Sequence, residues 1–491
     1  MDRAITAPTG KSITTGADFL QLDVTDAPPG GRADWLATRL RAAIADGRVP
    51  VGARLPASRV LAVELGVSRG VVTEAYQRLA ESGQVAGRGR AGTVVLAGPA
   101  GVVAGVPTPA PAPELFAARP GVSVFDALRA APAELDLTPG VPDLAAFPRA
   151  AWLRAERAVL RRLTPADFGY GDPTGTPALR RAVAAWLGRN RGIRVDPAEV
   201  VVVAGVSQAL GLLAQVLHDQ GVHTVAVEDP SSLGVRQHLH NWRLDTPPVP
   251  VDAHGLRVDR LAAAGARAVL VTPAHQFPTG VVLDGERRRA LLGWAERGGL
   301  VIEDDYDAEH RYDRPPVPAL RGTLPERVCY TGSVSKLLAP ALRIGWLLVP
   351  PRWHTALVDA KRMADLGNAA LPQLVLAELM TSGALERHLR MLRRRHVRRR
   401  DAMLRAVREQ LPGAVVHGAA AGLHLLVTLP DEVDDVAVAA AALRRGVKVH
   451  PLAWHGQRRQ PPGLVLGYAA TPTGDLERAV AELGAALREL T

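Results

Sequence analysis

The chain has 491 residues, of which 47% are hydrophobic and 22% are charged, a composition typical of a globular protein that is too long for one compact core. A single cysteine, Cys329, excludes an intrachain disulfide framework, and the lack of a signal-peptide pattern or a membrane-spanning run predicts a cytoplasmic protein. The net charge of +10 suits a nucleic-acid partner, although a general preference for arginine produces the same balance.

A change of composition after residue 97 divides the chain. Residues 97–119 read AGPAGVVAGVPTPAPAPELFAAR, a nearly uncharged stretch that buries little and is typical of a linker. We therefore predict four segments, which are a tail over residues 1–25, a small domain over 26–97, a linker over 98–130 and a large domain over 131–491.

Three helices and a hairpin are predicted in the small domain. Apolar spacing indicates helices over residues 33–46 and 57–65, and a third helix that begins at the N-cap Ser68 and runs to residue 82. Two β-prone pieces then flank a glycine-rich turn in GQVAGRGRAGTVVLAG. This order predicts a winged helix-turn-helix, whose third helix enters the major groove of DNA. A small helical domain with a solvated basic face is the alternative.

Strands and helices alternate in the large domain, which predicts an α/β fold around a mostly parallel sheet. Ligands of such sheets bind beyond the carboxyl ends of the strands. The predicted strands cover residues 200–204, 224–227, 268–271, 300–303, 328–331 and 344–349, and helices are predicted over 178–187 and 285–297.

Two of these strands end in residues that suit a charged ligand. Gly205, Val206 and Ser207 follow the first strand and open a helix, where free N–H groups bind anions, although an ordinary strand-to-helix turn looks the same. Acidic residues end the fourth strand in IEDDYDAEHRY, and they suit either a metal ion or a protonated base. Solvated loop acids are the plainer alternative for the second group.

The fifth strand is followed by a lysine in a chain that rarely uses one. Only four of the 59 basic residues are lysines, and one of them, Lys336, follows Ser333 and Ser335 in YTGSVSKLLAPALRIGW, with Arg343 seven residues further on. A lysine amine can become neutral and nucleophilic, whereas arginine stays charged in proteins. An ordinary surface lysine is the alternative if Lys336 is considered alone.

Together the three strand ends predict one ligand. It would have a phosphate for the anion site, a ring nitrogen that pairs with a carboxylate, and an aldehyde that reacts with the lysine amine. Pyridoxal phosphate has all three groups. A metal site is the competing interpretation, but no His or Cys joins the acids at ligand spacing, so we predict no metal.

Several motifs resemble known families. The stretch ARLPASRVLAVELGVSRGVVTEAYQRLAESG resembles the GntR-type winged helix. The segments FGYGDPTGTPALRRAV, VTPAHQFPTGVVLDGERRRALL, IEDDYDAEHRY and SVSKLLAPALRIGW resemble the fold-type I aminotransferase domain of MocR-type regulators. The resemblance implies a winged helix followed by an aminotransferase-like domain, with a large subdomain over about residues 140–350 and a small one over 351–491.

The resemblance also implies roles for individual residues. Lys336 would form the Schiff base with pyridoxal phosphate, Asp304 would pair with the pyridine nitrogen and Tyr306 would bond the phenolic oxygen. The phosphate would be held by Val206, Ser207, Ser333, Ser335 and Arg343. Tyr170 would reach the phosphate of a partner subunit in a domain-swapped homodimer, and His275 and Gln276 would lie in a loop that lines the pocket. The residues facing DNA would be Arg59, Ser68, Arg69, Thr73 and Tyr76, with Arg88 and Gly89 in the wing.

The sequence departs from the aminotransferase pattern at three points. Ser232 replaces an aromatic residue that stacks on the cofactor, and Phe277 replaces an asparagine that touches it. The arginine that clamps a substrate carboxylate has no clear match, because Pro462 takes its place, with Arg458 or Arg459 as nearby substitutes. An arginine-rich helix over residues 387–400 is a solvated face or an additional DNA contact.

By this resemblance the protein is a transcriptional regulator that binds double-stranded DNA and responds to pyridoxal phosphate, alone or carrying an amine. The missing clamp arginine favours sensing of the cofactor itself, and with it control of vitamin B6 synthesis. Three alternatives stay open: a regulator that responds to an amino compound such as GABA, a working aminotransferase with a DNA-binding domain, and a DNA-binding protein whose cofactor is structural. Phe277 and the missing arginine argue against the enzyme.

Overall fold

The computed structural model describes residues 22–87, 92–96, 115–117, 120–313 and 317–490. The chain forms two compact units, Met1–Ala112 and Pro113–Thr491, and this division falls inside the segment 98–130 that the composition predicts as a linker. Arg88 and Gly89 of the predicted wing lie outside the described residues. No helix in the described part of the chain has the length and apolar character needed to cross a membrane.

The first unit is a winged helix-turn-helix. The three predicted helices are confirmed, each within one residue of its expected ends, and the two short strands pair antiparallel. Its elements are α1 (Arg32–Ala45), α2 (Ser58–Glu64), α3 (Arg69–Glu81), β1 (Val85–Gly87) and β2 (Thr93–Val95). The side chain of Ser68 accepts a hydrogen bond from the N–H of Val71, so this residue caps α3 as predicted. Leu36, Leu61 and Val72 pack in the core between the helices.

The second unit contains a large sheet and a smaller one. Its strands are β3 (Leu135–Asp136), β4 (Val201–Val203), β5 (Val225–Asp229), β6 (Pro248–Asp252), β7 (Gly255–Leu256), β8 (Ala268–Val271), β9 (Leu300–Asp305), β10 (Val328–Ser333), β11 (Gly345–Leu348), β12 (Val415–His417), β13 (His424–Thr428), β14 (Val447–Lys448), β15 (His450–Pro451) and β16 (Gly463–Gly467). The large sheet has the order β4-β11-β10-β9-β8-β5-β6-β7, and its neighbours from β10 to β6 are parallel. The prediction of a mostly parallel sheet is confirmed.

Helices cover both faces of this sheet, which explains why strands such as β4 and β8 are apolar along their whole length. The helices of the second unit, which include those of the smaller sheet, are α4 (Val124–Ala130), α5 (Arg149–Leu160), α6 (Pro177–Arg191), α7 (Val206–Asp219), α8 (Leu233–Asn241), α9 (Gly285–Glu296), α10 (His354–Asp365), α11 (Ala370–Thr381), α12 (Ala384–Gln410), α13 (Asp435–Arg444) and α14 (Thr473–Arg488). Val201 and Val203 of β4 belong to the core that contains α7, whereas Val202 belongs to the core that contains α6.

The smaller sheet has the order β12-β13-β16-β15, and its core includes side chains of α12, α13 and α14. The two-residue strands β14 and β3 pair parallel beside it, so that Lys448 lies opposite Asp136. This pairing joins residues from the start and the end of the unit.

Strand β9 is two residues longer than predicted. The sequence places its end at residue 303 because acidic side chains follow, but Asp304 and Asp305 continue the parallel pairing with β10. Burial of Glu303 and Asp305 is possible because the structure supplies partners for both carboxylates. The carboxylate of Glu303 accepts the N–H groups of Leu320 and Arg321, and Asp305 pairs with a buried arginine.

Candidate functional site

The predicted ligand residues meet at one edge of the large sheet. The carboxyl ends of β4, β9 and β10 lie at this edge, and the antiparallel strand β11 begins there. A cavity of about 740 Å³ opens at the same edge. Eight of the predicted cofactor residues line it, namely Val206, Ser207, Asp304, Tyr306, Ser333, Ser335, Lys336 and Arg343.

One side of the cavity is built to accept an anion. Helix α7 begins at Val206, so its free N–H groups and the positive end of its dipole face this side. The guanidinium of Arg343 lies beside the helix start and donates to the carbonyl of Ala204. A Cβ atom on Gly205 would lie 3.1 Å from Nη2 of Arg343, and φ at this residue is +83°, so glycine is needed for both reasons.

A buried carboxylate faces the same cavity. Asp304 is 7% exposed, and its Oδ1 atom has no hydrogen-bond partner. Burial raises the pKa of Asp304 to about 7, the charges of Asp305 and Asp307 add to this effect, and Lys336 opposes it. An unpartnered buried oxygen is costly, so this atom is suited to a ligand that brings a proton donor.

Lys336 lies next to this carboxylate in the cavity. Its Nζ atom donates to the carbonyl of Gly140, and a Cβ atom on Gly140 would lie 3.2 Å from Nζ. Burial lowers the pKa of Lys336, while Asp307 and Asp304 act in the opposite direction. A lowered pKa makes the neutral, nucleophilic amine more accessible than in a solvated lysine.

His275 and Gln276 do not line the cavity themselves, whereas Thr272 and Phe277 of the same loop do, so a contact between these two residues and the cofactor stays a prediction. His275 is 1% exposed, and its Nδ1 atom lies 3.0 Å from the hydroxyl of Tyr306 and 2.9 Å from Oδ2 of Asp307. Gln276 donates to the carbonyls of Pro230 and Phe277. Both residues therefore position the groups that line the cavity, because the loop turns their side chains into the protein.

His275, Asp307 and His424 form a buried group of the kind that can bind a metal ion, with ligand atoms within 4.8 Å of one another. Hydrogen bonds already join Nδ1 of His275 to Asp307 and Nε2 of His424 to the carbonyl of Pro278. A Cβ atom on Gly422 would lie 2.0 Å from Cε1 of His275, so the ring is tightly enclosed. Hydrogen bonds thus hold one nitrogen of each histidine, while Nε2 of His275 and Nδ1 of His424 have no hydrogen-bond partner among the described residues.

The cavity fits pyridoxal phosphate on three independent points. The start of α7 with Arg343 suits the phosphate, the unpartnered oxygen of Asp304 suits a protonated ring nitrogen, and the amine of Lys336 suits the aldehyde. These are the three groups that the strand ends predict.

Comparison with known proteins matches each of the two units to a protein family. Residues 134–483 match the family Aminotransferase class I and II, and residues 33–95 match Bacterial regulatory proteins, gntR family. The chain is 31% identical, over 92% of its length and 93% of the relative, to the probable rhizopine catabolism regulatory protein MocR of Rhizobium meliloti. The chain belongs to the MocR-type regulators. It is a transcriptional regulator with a DNA-binding winged helix and an aminotransferase-like domain whose cofactor is pyridoxal phosphate.

The other similar proteins include both a transcriptional regulator and aminotransferases. It is 32% identical to the pyridoxine biosynthesis transcriptional regulator PdxR of Corynebacterium glutamicum, with 92% of the chain and 95% of PdxR covered. Among solved structures, a kynurenine aminotransferase of Pyrococcus horikoshii superposes with a TM-score of 0.68 at 26% identity, covering 75% of the regulator and 93% of the enzyme. LysN, an α-aminoadipate aminotransferase of Thermus thermophilus, superposes with a TM-score of 0.67 at 28% identity, covering 74% and 94%.

Three further residues that the sequence analysis considers have defined positions in the structure. Tyr170 is 96% exposed and does not line the cavity. Arg458, considered as a substitute for the clamp arginine, pairs with Asp229 at 2.8 Å and is also absent from the cavity wall. Ser232 lines the cavity and caps α8 by accepting a hydrogen bond from Val235.

The residues of the cavity wall that the sequence analysis missed include Glu228, Lys448, His450 and His455. Glu228 lies near the end of β5, so the argument about strand ends that found the other residues also applies to it. Burial raises the pKa of Glu228 to about 7, although Thr272 donates a hydrogen bond to its carboxylate. Lys448, His450 and His455 belong to the smaller sheet and its connections, and no local pattern points to them.

The described residues of α2 and α3 that are predicted to meet DNA are largely exposed. Arg59, Ser68, Arg69 and Thr73 are exposed, so these four stay predictions as DNA contacts. Tyr76 is 8% exposed and its hydroxyl donates to the carbonyl of Pro56 at 2.8 Å, so its prediction as a DNA contact is wrong. The helical period could have predicted the burial of Tyr76, because it lies on the same face of α3 as the buried residues Val72, Ala75 and Leu79.

Two substitutions separate these roles. Arg69→Ala is expected to weaken binding to the operator about tenfold, which is within the range for a side chain that contacts DNA, and to leave thermal stability unchanged.

Tyr76→Phe is expected to lower stability by about 1 kcal/mol, because one hydrogen bond is lost, with operator affinity kept within about twofold. Fluorescence anisotropy and thermal melts check both results, and a loss of affinity in Tyr76→Phe at unchanged stability would contradict the assignment.

Proposed function

We propose that the cavity holds pyridoxal phosphate together with an amino compound, and that binding of the pair changes the affinity of the regulator for its operator. The observation that supports this proposal is the extent of the cavity. It continues past the eight cofactor residues to Phe125, Leu128, Lys448 and His450, which the cofactor does not require. Coupling to DNA requires that the ligands bind unequally to the free and DNA-bound regulator.

The residues at the cofactor end have distinct proposed tasks. Ser207 and Arg343 bind the phosphate, Asp304 holds a proton on the ring nitrogen, and Lys336 holds the cofactor through its amine. Tyr306, fixed by its contact with His275, orients the ring. Pyridoxal phosphate itself supplies an aldehyde that reacts with primary amines. These tasks need no turnover, so sensing is sufficient.

We also propose that two copies of the chain share their cofactor sites. Tyr170 supports this idea because a tyrosine that is 96% exposed and outside the cavity of its own chain is free to reach a second copy. The stoichiometry in the DNA titration tests this proposal, and binding of one chain per operator would contradict it.

A titration of DNA from the region upstream of the gene tests the function. Cofactor-free protein, cofactor-loaded protein and loaded protein with a panel of amines are compared at one salt concentration, because phosphate contacts make affinity salt-dependent. We expect a change of at least about fivefold when cofactor and the right amine are both present. Unchanged affinity in every arm would contradict the proposal.

A response to the cofactor alone is the second candidate function. The 32% identity to a pyridoxine biosynthesis regulator favours it, and the same titration identifies it by a shift without any amine.

The matched variant for the titration is Asp304→Asn. It is expected to weaken cofactor binding about tenfold or more, since a hydrogen bond to a charged group contributes roughly 1.5–3 kcal/mol, and to leave cofactor-free DNA binding unchanged. Equal cofactor affinity in the variant and the wild type would mean that Asp304 does not contact the ring.

A further inference from the structure

Lys361 of α10 has no task in the function proposed above. Its side chain is fully buried and does not line the cavity, whereas Lys336 and Lys448 both line it. The fourth lysine of the chain, Lys11, lies outside the described residues. A chain that uses arginine at nearly every basic position therefore has one lysine buried beyond the cavity wall.

The ammonium of Lys361 joins three segments of the chain. Its Nζ atom donates to both carboxylate oxygens of Asp365 at 2.6 Å, to Oδ1 of Asn368 at 2.8 Å and to Oε1 of Gln208 at 3.2 Å. Asp365 ends α10, Asn368 lies between α10 and α11, and Gln208 lies in the first turn of α7. An ammonium carries three donors, so these three partners use its full capacity.

The geometry of these contacts suits a lysine better than an arginine. Three acceptors around one nitrogen atom match the tetrahedral donors of an ammonium, whereas a guanidinium spreads its donors over a planar fork. Leu357 of α10 belongs to the same core as Leu210 and Leu213 of α7, so the two helices pack against each other around this position. Because Lys361 is 0% exposed, a larger planar group would displace its neighbours.

The contact with Lys361 fixes the orientation of the Gln208 amide. Oε1 of Gln208 also accepts from the N–H of Ala204 at 2.7 Å, while Nε2 donates to Oδ2 of Asp365 at 2.7 Å. If the amide were turned over, its NH₂ group would face the ammonium and the N–H of Ala204, and donors would meet donors at both contacts. The ammonium therefore keeps an acceptor on the N–H of Ala204.

Ala204 begins the turn that forms the anion site of the cavity. Its N–H is held by Gln208, and its carbonyl accepts from the guanidinium of Arg343. Gly205 follows with φ at +83°, and α7 begins at Val206. The connection that starts at the buried ammonium thus ends at the guanidinium and the helix start that are proposed to meet the phosphate.

A plain role in stability needs only part of this arrangement. Lys361 and Asp365 lie four residues apart in one helix, a spacing at which an ion pair forms without help from other segments. The hydrogen bonds of both residues to Gln208 are not needed for that helical pair, and they connect it to the turn before α7.

We propose that Lys361 is a positioning residue for the phosphate of the cofactor, and that it acts through Gln208 on the turn at Ala204. Without the ammonium the amide is free to rotate, so the N–H of Ala204 loses its acceptor and Arg343 loses a fixed carbonyl. The inference rests on the proposed function, in which Ser207 and Arg343 bind the phosphate, because it names the residue that aligns them.

Lys361→Met tests the proposal with two ligands that differ in the phosphate. Full-length protein is titrated with pyridoxal phosphate and with pyridoxal, and binding is followed by the absorbance of the bound ligand. We expect the variant to bind pyridoxal phosphate about tenfold more weakly, the loss for one misaligned hydrogen bond to a charged group, with pyridoxal affinity kept within about twofold. An equal weakening for both ligands, or no weakening, would overturn the proposal.

Two control variants separate alignment from a general loss of stability. Arg321 is 2% exposed and donates to the carbonyls of Pro325 and Val328, at the end of β10 opposite Ser333. Arg321→Met should therefore lower the melting temperature without changing the preference for pyridoxal phosphate over pyridoxal. Lys361→Arg retains the charge without the tetrahedral donors, so it should lose the preference as the methionine variant does. The opposite result in either control contradicts the positioning role.

A double-mutant cycle tests whether Gln208 is the route. Gln208→Leu leaves the ion pair of Lys361 with Asp365 in place, yet it should weaken binding of pyridoxal phosphate as much as Lys361→Met does. The double variant should show no further loss, because both changes remove the same contact. Additive losses would overturn the proposal. If Lys361→Met does not fold, Gln208→Leu alone decides, and unchanged phosphate preference in that variant rejects the inference.

The wild-type protein separates this inference from the function on which it rests. If the wild type binds both ligands equally, the phosphate task of Ser207 and Arg343 fails, and the role of Lys361 fails with it. If the wild type prefers pyridoxal phosphate and the variants of Lys361 and Gln208 retain that preference, only the positioning role is rejected.

Discussion

Replacing Lys336 by alanine is expected to abolish covalent attachment of pyridoxal phosphate to the chain. Of the lysines in the described residues, Lys336 lines the cavity with the buried carboxylate of Asp304, whereas Lys448 belongs to β14 and Lys361 lies outside the cavity. Borohydride reduction of the loaded protein followed by peptide mass spectrometry measures the attachment. The wild type should carry the cofactor on Lys336 and the variant on no residue of the cavity.

Two controls make this result specific. Lys336→Arg keeps the positive charge but cannot form the covalent bond, so it should behave like the alanine variant. Lys448→Arg should retain full attachment at position 336. Operator affinity of the cofactor-free Lys336→Ala protein should match that of the wild type, since the winged helix folds as a separate unit. A reduced adduct at Lys361 or Lys448 in the wild type would reject the assignment.

The strands and helices that carry the cofactor site could be predicted because the sequence patterns that specify them are local. Residues 268–271 are apolar and β-prone, and β8 has these bounds. The caps and apolar spacing of α1 and α3 likewise give their ends to within one residue. Parallel strands bring their carboxyl ends to one edge, so Ser207, Asp304 and Lys336 meet there although long stretches of chain separate them.

The other features of the site depend on tertiary contacts, which a local sequence pattern does not indicate. Lys448 reaches the cavity because β14 pairs with β3 from a distant part of the chain. His275 faces inward because Tyr306 and Asp307 supply its partners. Asp305 extends β9 because its partners come from α6 and β10, so the sequence around β9 alone gives an end two residues too early.

The partner of Asp305 provides the largest expected effect on stability. Nε of Arg191 lies 2.5 Å from Oδ2 of Asp305, and the two side chains are 1% and 2% exposed. The hydroxyl of Tyr330 donates to the same carboxylate oxygen, and Arg191 donates to the carbonyl of Val317. Arg191→Ala removes the cation and leaves a buried charge without compensation, which costs about 3–5 kcal/mol.

Chemical unfolding of the aminotransferase-like unit measures this effect. The control is Arg362→Ala, because Arg362 pairs with Asp359 at 2.7 Å while both side chains are about half exposed. Exposed pairs contribute less than about 1 kcal/mol, so the control should stay near the wild type. A similar small loss in Arg191→Ala would mean that the buried pair does not hold β9 in place.

The double variant Arg191→Met with Asp305→Leu separates charge from packing. Apolar residues of similar size often replace a buried ion pair without loss, so the double variant should recover most of the stability that Arg191→Ala loses. Asp305 also contributes to the raised pKa of Asp304, after burial as the main cause. Its removal should therefore lower the pKa of Asp304, and cofactor binding should become less sensitive to acid near pH 7. An unchanged pH profile would show that Asp305 does not affect the ionisation of Asp304.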